Sequence, residues 1–410
     1  MPYICDLHIH SKYSRATSKD MDIVHLSKYA RIKGIGLLGT GDCTHPDWLA
    51  ELKERLGEKE YGIYEYDNVN FILSGEVSNI YFKNGKVRKI HNVIMVPSFE
   101  IAAEMNKMLA LHGELRSDGR PILSFECEKM VQALKKISKD IMIIPAHIWT
   151  PHFSLFGSNS GFDRIEECFE DQLGNISALE TGLSSDPPMN WRLSVLDRYC
   201  LVSNSDAHSP SRIGREANVL KREIGYMALK DILEKKDKEN FLYTIEFFPQ
   251  EGKYHWDGHR KCGARLSPKE SAQINNRCPN CGKKLTVGVM NRVEQLADRP
   301  EGYVAGDAPG YKSLVPLTEI IADALGVGKE SIGVEREFNA LTQRIGSEFD
   351  ILLFKDKEEI LEKCPPKIAK GIINVREGKV NILPGYDGEY GKMEILDKGE
   401  EKEEKQLTFF

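Results

Sequence analysis

The sequence predicts an α/β protein: a barrel of parallel strands, then a small Cys/His zinc-binding module, then an α+β C-terminal region. Three observations predict it. Over the first two hundred residues, short apolar runs alternate with stretches of helical periodicity, the signature of βα units. Most apolar runs are followed at once by a His, Asp or Glu, as expected where strand ends on one face of a barrel build a common site. Farther on, His259-Arg-Lys-Cys262 and Cys278-Pro-Asn-Cys281 form two ligand pairs fifteen residues apart, the spacing of a tetrahedral zinc site.

The elements follow in order. Asp22 opens a helix with Ile23, Leu26, Tyr29 and Ala30 on one face, and Gly34 ends it. Residues 35–38 read as a strand. Pro46 suits the first turn of a helix that stops at Gly57. Residues 69–73 are a strand, and residues 77–96 hold two more around Lys83-Asn84-Gly85-Lys86, a hairpin turn signal. Helices are expected over 98–112 and 126–138, and strands over 141–144, 176–179 and 201–202. Beyond residue 300, residues 317–325 and 335–345 look helical, and Glu377-Gly378 suggests a hairpin within 375–383. These readings divide the chain into a barrel (1–235), a basic zinc module (240–295), a C-terminal α+β region (296–395) and an acidic tail (396–410).

Composition narrows the class. Hydrophobic residues make up 41% and charged residues 29% of the 410, as in ordinary globular proteins. No apolar run approaches the roughly 20 residues that span a bilayer. The start, Met-Pro-Tyr-Ile-Cys-Asp, lacks the basic and apolar regions of a signal peptide. Six of nine cysteines are scattered and three clustered, which fits a reduced, cytoplasmic chain rather than a disulfide framework. Net charge is −6, yet residues 253–292 carry nine Lys or Arg against Asp257 and Glu270. A module at +7 on a remainder at −13 points to a polyanion partner, although small zinc modules are also lysine-rich for solubility.

The candidate chemistry starts at Asp6-Leu-His8-Ile-His10. Strand alternation would turn both imidazoles to one face, as half of a metal site. After later apolar runs come Asp42 and His45, Glu76, His147, Glu180, then Asp206 and His208, with His91 at the start of another run. The expected catalytic set is His8, His10, Asp42, Glu76, His147, Asp206 and His208; the expected metal ligands are these plus His91. So many carboxylates and imidazoles suit two or three divalent metals, the arrangement that cleaves phosphate esters, with Glu76 or Asp206 as a bridge. Mixed His/carboxylate ligation favours zinc, manganese or iron over magnesium. His45, beside Pro46, can equally cap a helix. The structural zinc is assigned to His259, Cys262, Cys278 and Cys281, with His255 the alternative to His259.

These residues carry a resemblance. Asp6-Leu-His8-Ile-His10-Ser, Gly-Asp42, Gly-Glu76, His91, Pro-Ala-His147 and Ser-Asp206-Ala-His208 resemble, in order, the motifs of the polymerase and histidinol phosphatase (PHP) superfamily. That resemblance implies a distorted (β/α)7 barrel with a two- or three-metal centre, which can use zinc, manganese or magnesium. Gly41-Asp42-Cys43 departs from the superfamily's Thr-Asp-His at a ligand of the third metal. Together with Gly39-Thr-Gly-Asp-Cys-Thr-His-Pro-Asp-Trp48 and a zinc module ending Leu-Thr-Val-Gly-Val289, the whole chain resembles the endonuclease Q family. This implies incision of DNA on the 5′ side of uracil, hypoxanthine, xanthine or an abasic site, leaving 3′-hydroxyl and 5′-phosphate ends. Reading a base inside a duplex requires flipping it out. Lys12, Tyr13, Arg15, Trp149 and Arg192 are candidates to contact the substrate. Gln406-Leu407-Thr-Phe409-Phe410 looks like a truncated sliding-clamp motif, which implies a clamp partner. Two other readings compete: a phosphatase of small phosphomonoesters, which leaves the basic module without purpose, and a non-catalytic DNA and clamp adaptor, which wastes the ligand set.

Overall fold

The computed structural model describes residues 2–396, so the charge run from 397 and the clamp-like Gln406, Leu407, Phe409 and Phe410 lie outside the described residues. Strand β1 (Tyr3–Asp6) leads to helix α1 (Ile23–Lys33). Asp22 accepts hydrogen bonds from the N–H groups of Val24 and His25, and Gly34, at φ +85°, closes the helix in the left-handed conformation that favours glycine. Then come β2 (Leu37–Gly39), α2 (Pro46–Arg55), a meander of β3 (Gly57–Glu60) and β4 (Ile63–Tyr66), and the long pair β5 (Val69–Lys83) and β6 (Lys86–Val96). Lys83 pairs with Lys86 around Asn84 and Gly85, both at positive φ, the two-residue turn expected from their sequence. Next are α3 (Phe99–Leu109), β7 (Ile122–Leu123), α4 (Cys127–Ile137), β8 (Met142–Pro145), β9 (Leu179–Glu180), β10 (Leu201–Val202), β11 (Ala217–Leu220), α5 (Tyr226–Lys235) and β12 (Phe241–Glu246).

The central sheet is mixed. β1 runs parallel to β2 and β2 to β5, but β6 is antiparallel to both β5 and β8. Backbone bonds from Ser177 N–H to Ile143 O and from Ile148 N–H to Glu180 O carry the order on to the parallel pair β9–β10. Asp206 N–H then reaches His8 O, and His10 N–H reaches Ala207 O, so the segment after β10 returns beside the segment after β1. Alternate side chains of these strands meet inside: Cys5, Leu37, Ile72, Val93, Met95, Met142, Ile144, Ala178, Cys200 and Val202 form one buried cluster. The opposite parity packs outward against the helices. The β5–β6 hairpin expected from Asn84-Gly85 thus interrupts the parallel order of the ring, and β8 pairs antiparallel to β6 as well. Glu76 also does not follow a strand: β5 continues unbroken through it to Lys83.

The expected regional limits do not match the sheet. β12 pairs with β11, and β15 (Gly310–Ser313), from the third region, pairs in parallel with β12. Between them, β13 (Asp257–His259) and β14 (Ala264–Leu266) form the hairpin of the Cys/His module, which α6 (Val289–Leu296) closes. The C-terminal region is helical: α7 (Leu317–Leu325), α8 (Ile332–Arg344), α9 (Lys357–Lys363) and α10 (Pro366–Arg376), followed by the hairpin of β16 (Asn381–Leu383) and β17 (Lys392–Glu394). Glu377-Gly378 is not a hairpin turn. It ends α10, with Gly378 at φ +68° and Lys379 N–H bonded to Asn374 O, because a left-handed glycine serves a helix end as readily as a turn. Among the described residues no helix is long and apolar enough to cross a membrane.

Candidate metal centre

The ring positions two groups of metal-capable side chains that share Glu76: His8, His10, Glu76 and Asp206, and Glu76, His91 and His147. Glu76 pairs across the β5–β6 ladder with Val93, and His91 with Ser78, so Glu76 and His91 emerge on one face. Glu76 Oε1 lies 2.9 Å from His91 Nδ1 and 3.0 Å from His147 Nε2. Glu76 Oε2 faces His10 Nε2 at 3.4 Å, and Asp206 Oδ1 faces the same nitrogen at 3.0 Å. His147 and Asp206 both hold positive φ, +32° and +47°, a backbone strain typical of functional positions.

Neighbouring carboxylates set the ring tautomers. A carboxylate only accepts, so Glu180, with both oxygens 3.1 Å from His8 Nδ1, fixes the proton there. Asp42 does the same for His10 Nδ1 at 3.0 Å. Both Nε2 atoms are thereby turned inward. They and Asp206 Oδ1 are buried and make no hydrogen bond. Buried polar atoms without partners are costly, and three of them converging on one carboxylate fit a cation. The electrostatics agree. Burial opposes charge on His8 and His10, yet Glu180 and Glu76 hold His8, and Asp42, Asp206 and Glu76 hold His10, well above the ordinary histidine range. Burial likewise opposes charge on Glu76, but His91, His8, His10 and His147 hold it well below the carboxylate range. The site demands positive charge between its carboxylates, the charge that a divalent ion carries.

Not every expected ligand joins these groups. Asp42 stands one step out: besides His10 it accepts from Ser11 N–H at 2.6 Å, Ser11 Oγ at 2.7 Å and Ser14 Oγ at 2.9 Å. His208 packs with its ring 4.5 Å from that of His10, tilted by 47°, while its Nδ1 donates to Asp206 O. Cys43 is buried core, and His45 caps α2 and stacks on Tyr13 at 4.3 Å, so neither enters either group. Sequence reasoning left Glu180 out of the site although it follows an apolar run; its role is to orient His8 and, at 2.9 Å, to accept the N–H of His147. It also missed Arg120, whose Nη1 lies 3.1 Å from Glu76 Oε2 on an irregular segment with no motif.

The substrate candidates divide. Trp149 is buried, with its indole N–H on Asn190, and Arg192 is buried against Glu294 at 2.6 Å. Lys12 and Tyr13 are tied to Glu51 beside the mouth, and Arg15 is exposed. Next to Asp206 and His208 opens a cleft of about 850 Å³ whose walls include Arg212, Arg215, Phe247, Lys329 and Tyr390.

In the second module His259, Cys262, Cys278 and Cys281 converge as expected. His255 is instead buried apart, and burial pushes it down to about 4. Cys278 N–H bonds Lys283 O and Gly282 N–H bonds Cys278 O, a tight knuckle with Gly282 at φ +71°. Despite burial, N–H groups of Asn280 and Cys281 bring Cys278 down to about 7, toward the thiolate a metal needs. Arg260, Lys261, Arg277, Lys283 and Lys284 are exposed around it.

Comparison with known proteins supplies context. Residues 316–379 match the family model described as the MJ0043 C-terminal domain. A Bacillus subtilis (strain 168) protein, the uncharacterized YqxK, is 29% identical over 406 residues, covering 95% of this chain and 98% of its own. The crystal structure of the lesion-specific endonuclease PfuEndoQ from Pyrococcus furiosus superposes with a TM-score of 0.87 at 31% identity, over 97% of this chain and 96% of that one. A structure of Endonuclease Q with a 27-mer duplex carrying an abasic lesion at its active site gives 0.85 at 32% identity, over 97% and 98%.

Proposed function

The chain belongs to the endonuclease Q family, and from that premise we propose that it is a metal-dependent endodeoxyribonuclease that incises DNA at damaged nucleotides. The observation that carries the reading is the convergence of two His/carboxylate groups on Glu76, with unpartnered Nε2 atoms turned inward. His8, His10, Glu76 and Asp206 would hold one divalent ion, and Glu76, His91 and His147 a second; zinc, manganese and magnesium are the candidates. When bound, such ions supply Lewis acidity to the phosphoryl group and acidify water for attack. Glu180 and Asp42 keep the imidazoles aimed, and the strand ring, read as a distorted PHP-type (β/α)7 barrel, keeps all of these side chains on one face. The reaction is hydrolysis of the P–O3′ bond on the 5′ side of uracil, hypoxanthine, xanthine or an abasic site. Water oxygen joins phosphorus, and the leaving oxygen takes a proton to give 3′-hydroxyl and 5′-phosphate ends.

A structural zinc on His259, Cys262, Cys278 and Cys281 would hold the basic module against phosphates, a salt-sensitive grip. The tail from Gln406 to Phe410 would bind a sliding clamp, and nine unbridged cysteines suit a cytoplasmic setting. The test is incubation with duplexes carrying each lesion and manganese, magnesium or zinc. A nick beside the lesion whose 3′ end primes a polymerase is expected. Hydrolysis of small phosphomonoesters alone would favour a phosphatase, and binding without cleavage under every metal an adaptor.

A further inference from the structure

Arg120 is the feature of the centre that metal holding does not explain. Its Nη1 lies 3.1 Å from Glu76 Oε2, the oxygen that also faces His10, and its side chain is 28% exposed, so the residue sits between the buried centre and the surface. Its segment is strapped to the site. Arg120 N–H and Arg15 N–H both donate to Asp118 Oδ1, each at 3.2 Å. Gly119 N–H donates to Tyr13 O at 3.0 Å, and Gly119 O accepts from Thr44 Oγ1 at 3.1 Å. A Cβ at Gly119 would collide with Asp42 Oδ2 and Ser14 Oγ. The strap delivers a fixed cation to the carboxylate that both groups share.

A cation there competes with divalent ions for the same carboxylate and repels them. The arrangement becomes favourable when an anion joins, and the planar guanidinium fork takes phosphate oxygens two at a time. We infer that Arg120 is a catalytic residue that contacts a non-bridging oxygen of the scissile phosphate and balances its charge while the P–O3′ bond breaks. The inference rests on the phosphodiesterase reading of this site.

The test compares the wild type with Arg120→Ala and Arg120→Lys, using inorganic phosphate as the probe. Calorimetry on the manganese-loaded protein is expected to show phosphate bound about 10-fold more weakly by Arg120→Ala, with Arg120→Lys between. Manganese affinity in both variants should equal or exceed that of the wild type. Single-turnover nicking of an abasic duplex should fall by on the order of 10²–10³ in Arg120→Ala. Unchanged phosphate affinity would overturn the inference, and so would loss of manganese on substitution, which would make Arg120 a strut for Glu76. If the wild type nicks no lesion but the phosphate effect holds, the endonuclease reading fails and the phosphate role of Arg120 stands.

Discussion

Glu76 is fully buried and meets His8, His10, His91, His147 and Arg120. A carboxylate so placed cannot be a solvated surface charge; it organises the positive charge around it. The ligands and their orienting partners should separate experimentally. His8→Ala or Asp206→Ala is expected to abolish cleavage while DNA binding persists in a gel-shift assay; retained cleavage in either would remove the residue from the site. Glu180→Ala leaves all ligands in place but frees the His8 ring, so metal affinity measured against a chelator should weaken by about 10–100-fold. Glu246 offers a pH test away from the candidate metal centre. It is buried, accepts from Thr181 at 3.0 Å and Ser203 at 3.2 Å, and leaves Oε1 without a partner. Burial, with Asp186 adding, raises it from 4.5 to about 8. Neutral Glu246 therefore contributes stability that is fully present below pH 4.5 and lost as pH rises toward 8. Glu246→Gln should gain on the order of 2 kcal/mol over the wild type between pH 5 and pH 8. A melting difference that does not change with pH would refute this.

At the scale of elements, the β5–β6 ladder explains why Glu76 and His91 meet, since two-residue alternation on paired strands brings both to one face. Much of this was legible beforehand. The caps Asp22 and Gly34, the Asn84-Gly85 turn and the serial His/Asp/Glu stations are local signals with local physics. The Asn84-Gly85 turn sets β6 antiparallel to β5, but strand direction beyond such a turn is not local, so the antiparallel pairing of β6 with β8 had no sequence signal. Which carboxylate faces Nε2 and which faces Nδ1 depends on long-range packing, and this is why Asp42 was read as a ligand and Glu180 was not. The burial of Trp149 and Arg192 comes from distant partners, Asn190 and Glu294, which no local signal shows. The Cys/His module differs again, because ligand spacing is itself local. Its hydrophobic cluster is Ala264, Cys278 and Leu285, with Cys262, Leu266 and Ile274 half-buried against them, too small to hold a fold without a staple. Cys278→Ser should release one metal per chain by elemental analysis and weaken DNA binding in a salt-dependent way. An unchanged metal count would show that these four residues hold no ion.

At the scale of the molecule, the barrel and the C-terminal region share one hydrophobic cluster that includes Ile4, Ile35, Ile345, Phe349 and Ile395. The segment before α9 seals the end of α1: a Cβ at Gly34 would collide with Ser347, and Gly214 abuts Phe349. Lys33 and Glu348 form an ion pair of 2.8 Å with side chains only 7% and 5% exposed, and Glu348 Oε1 also accepts the N–H of Leu317 at the start of α7. Two buried charges join α1 to the C-terminal helices across the region limits drawn from sequence. Removing one partner of a buried pair strands the other, at a cost of about 3–5 kcal/mol. Lys33→Ala should therefore lower the denaturation midpoint of the whole chain as one transition, seen alike by fluorescence and by loss of nicking. Lys33→Met/Glu348→Gln removes both charges but keeps an acceptor for Leu317, and should recover most of that loss. If Lys33→Ala instead melts the C-terminal helices early and leaves the barrel's transition where it was, the two regions are separately stable and the ion pair only docks them.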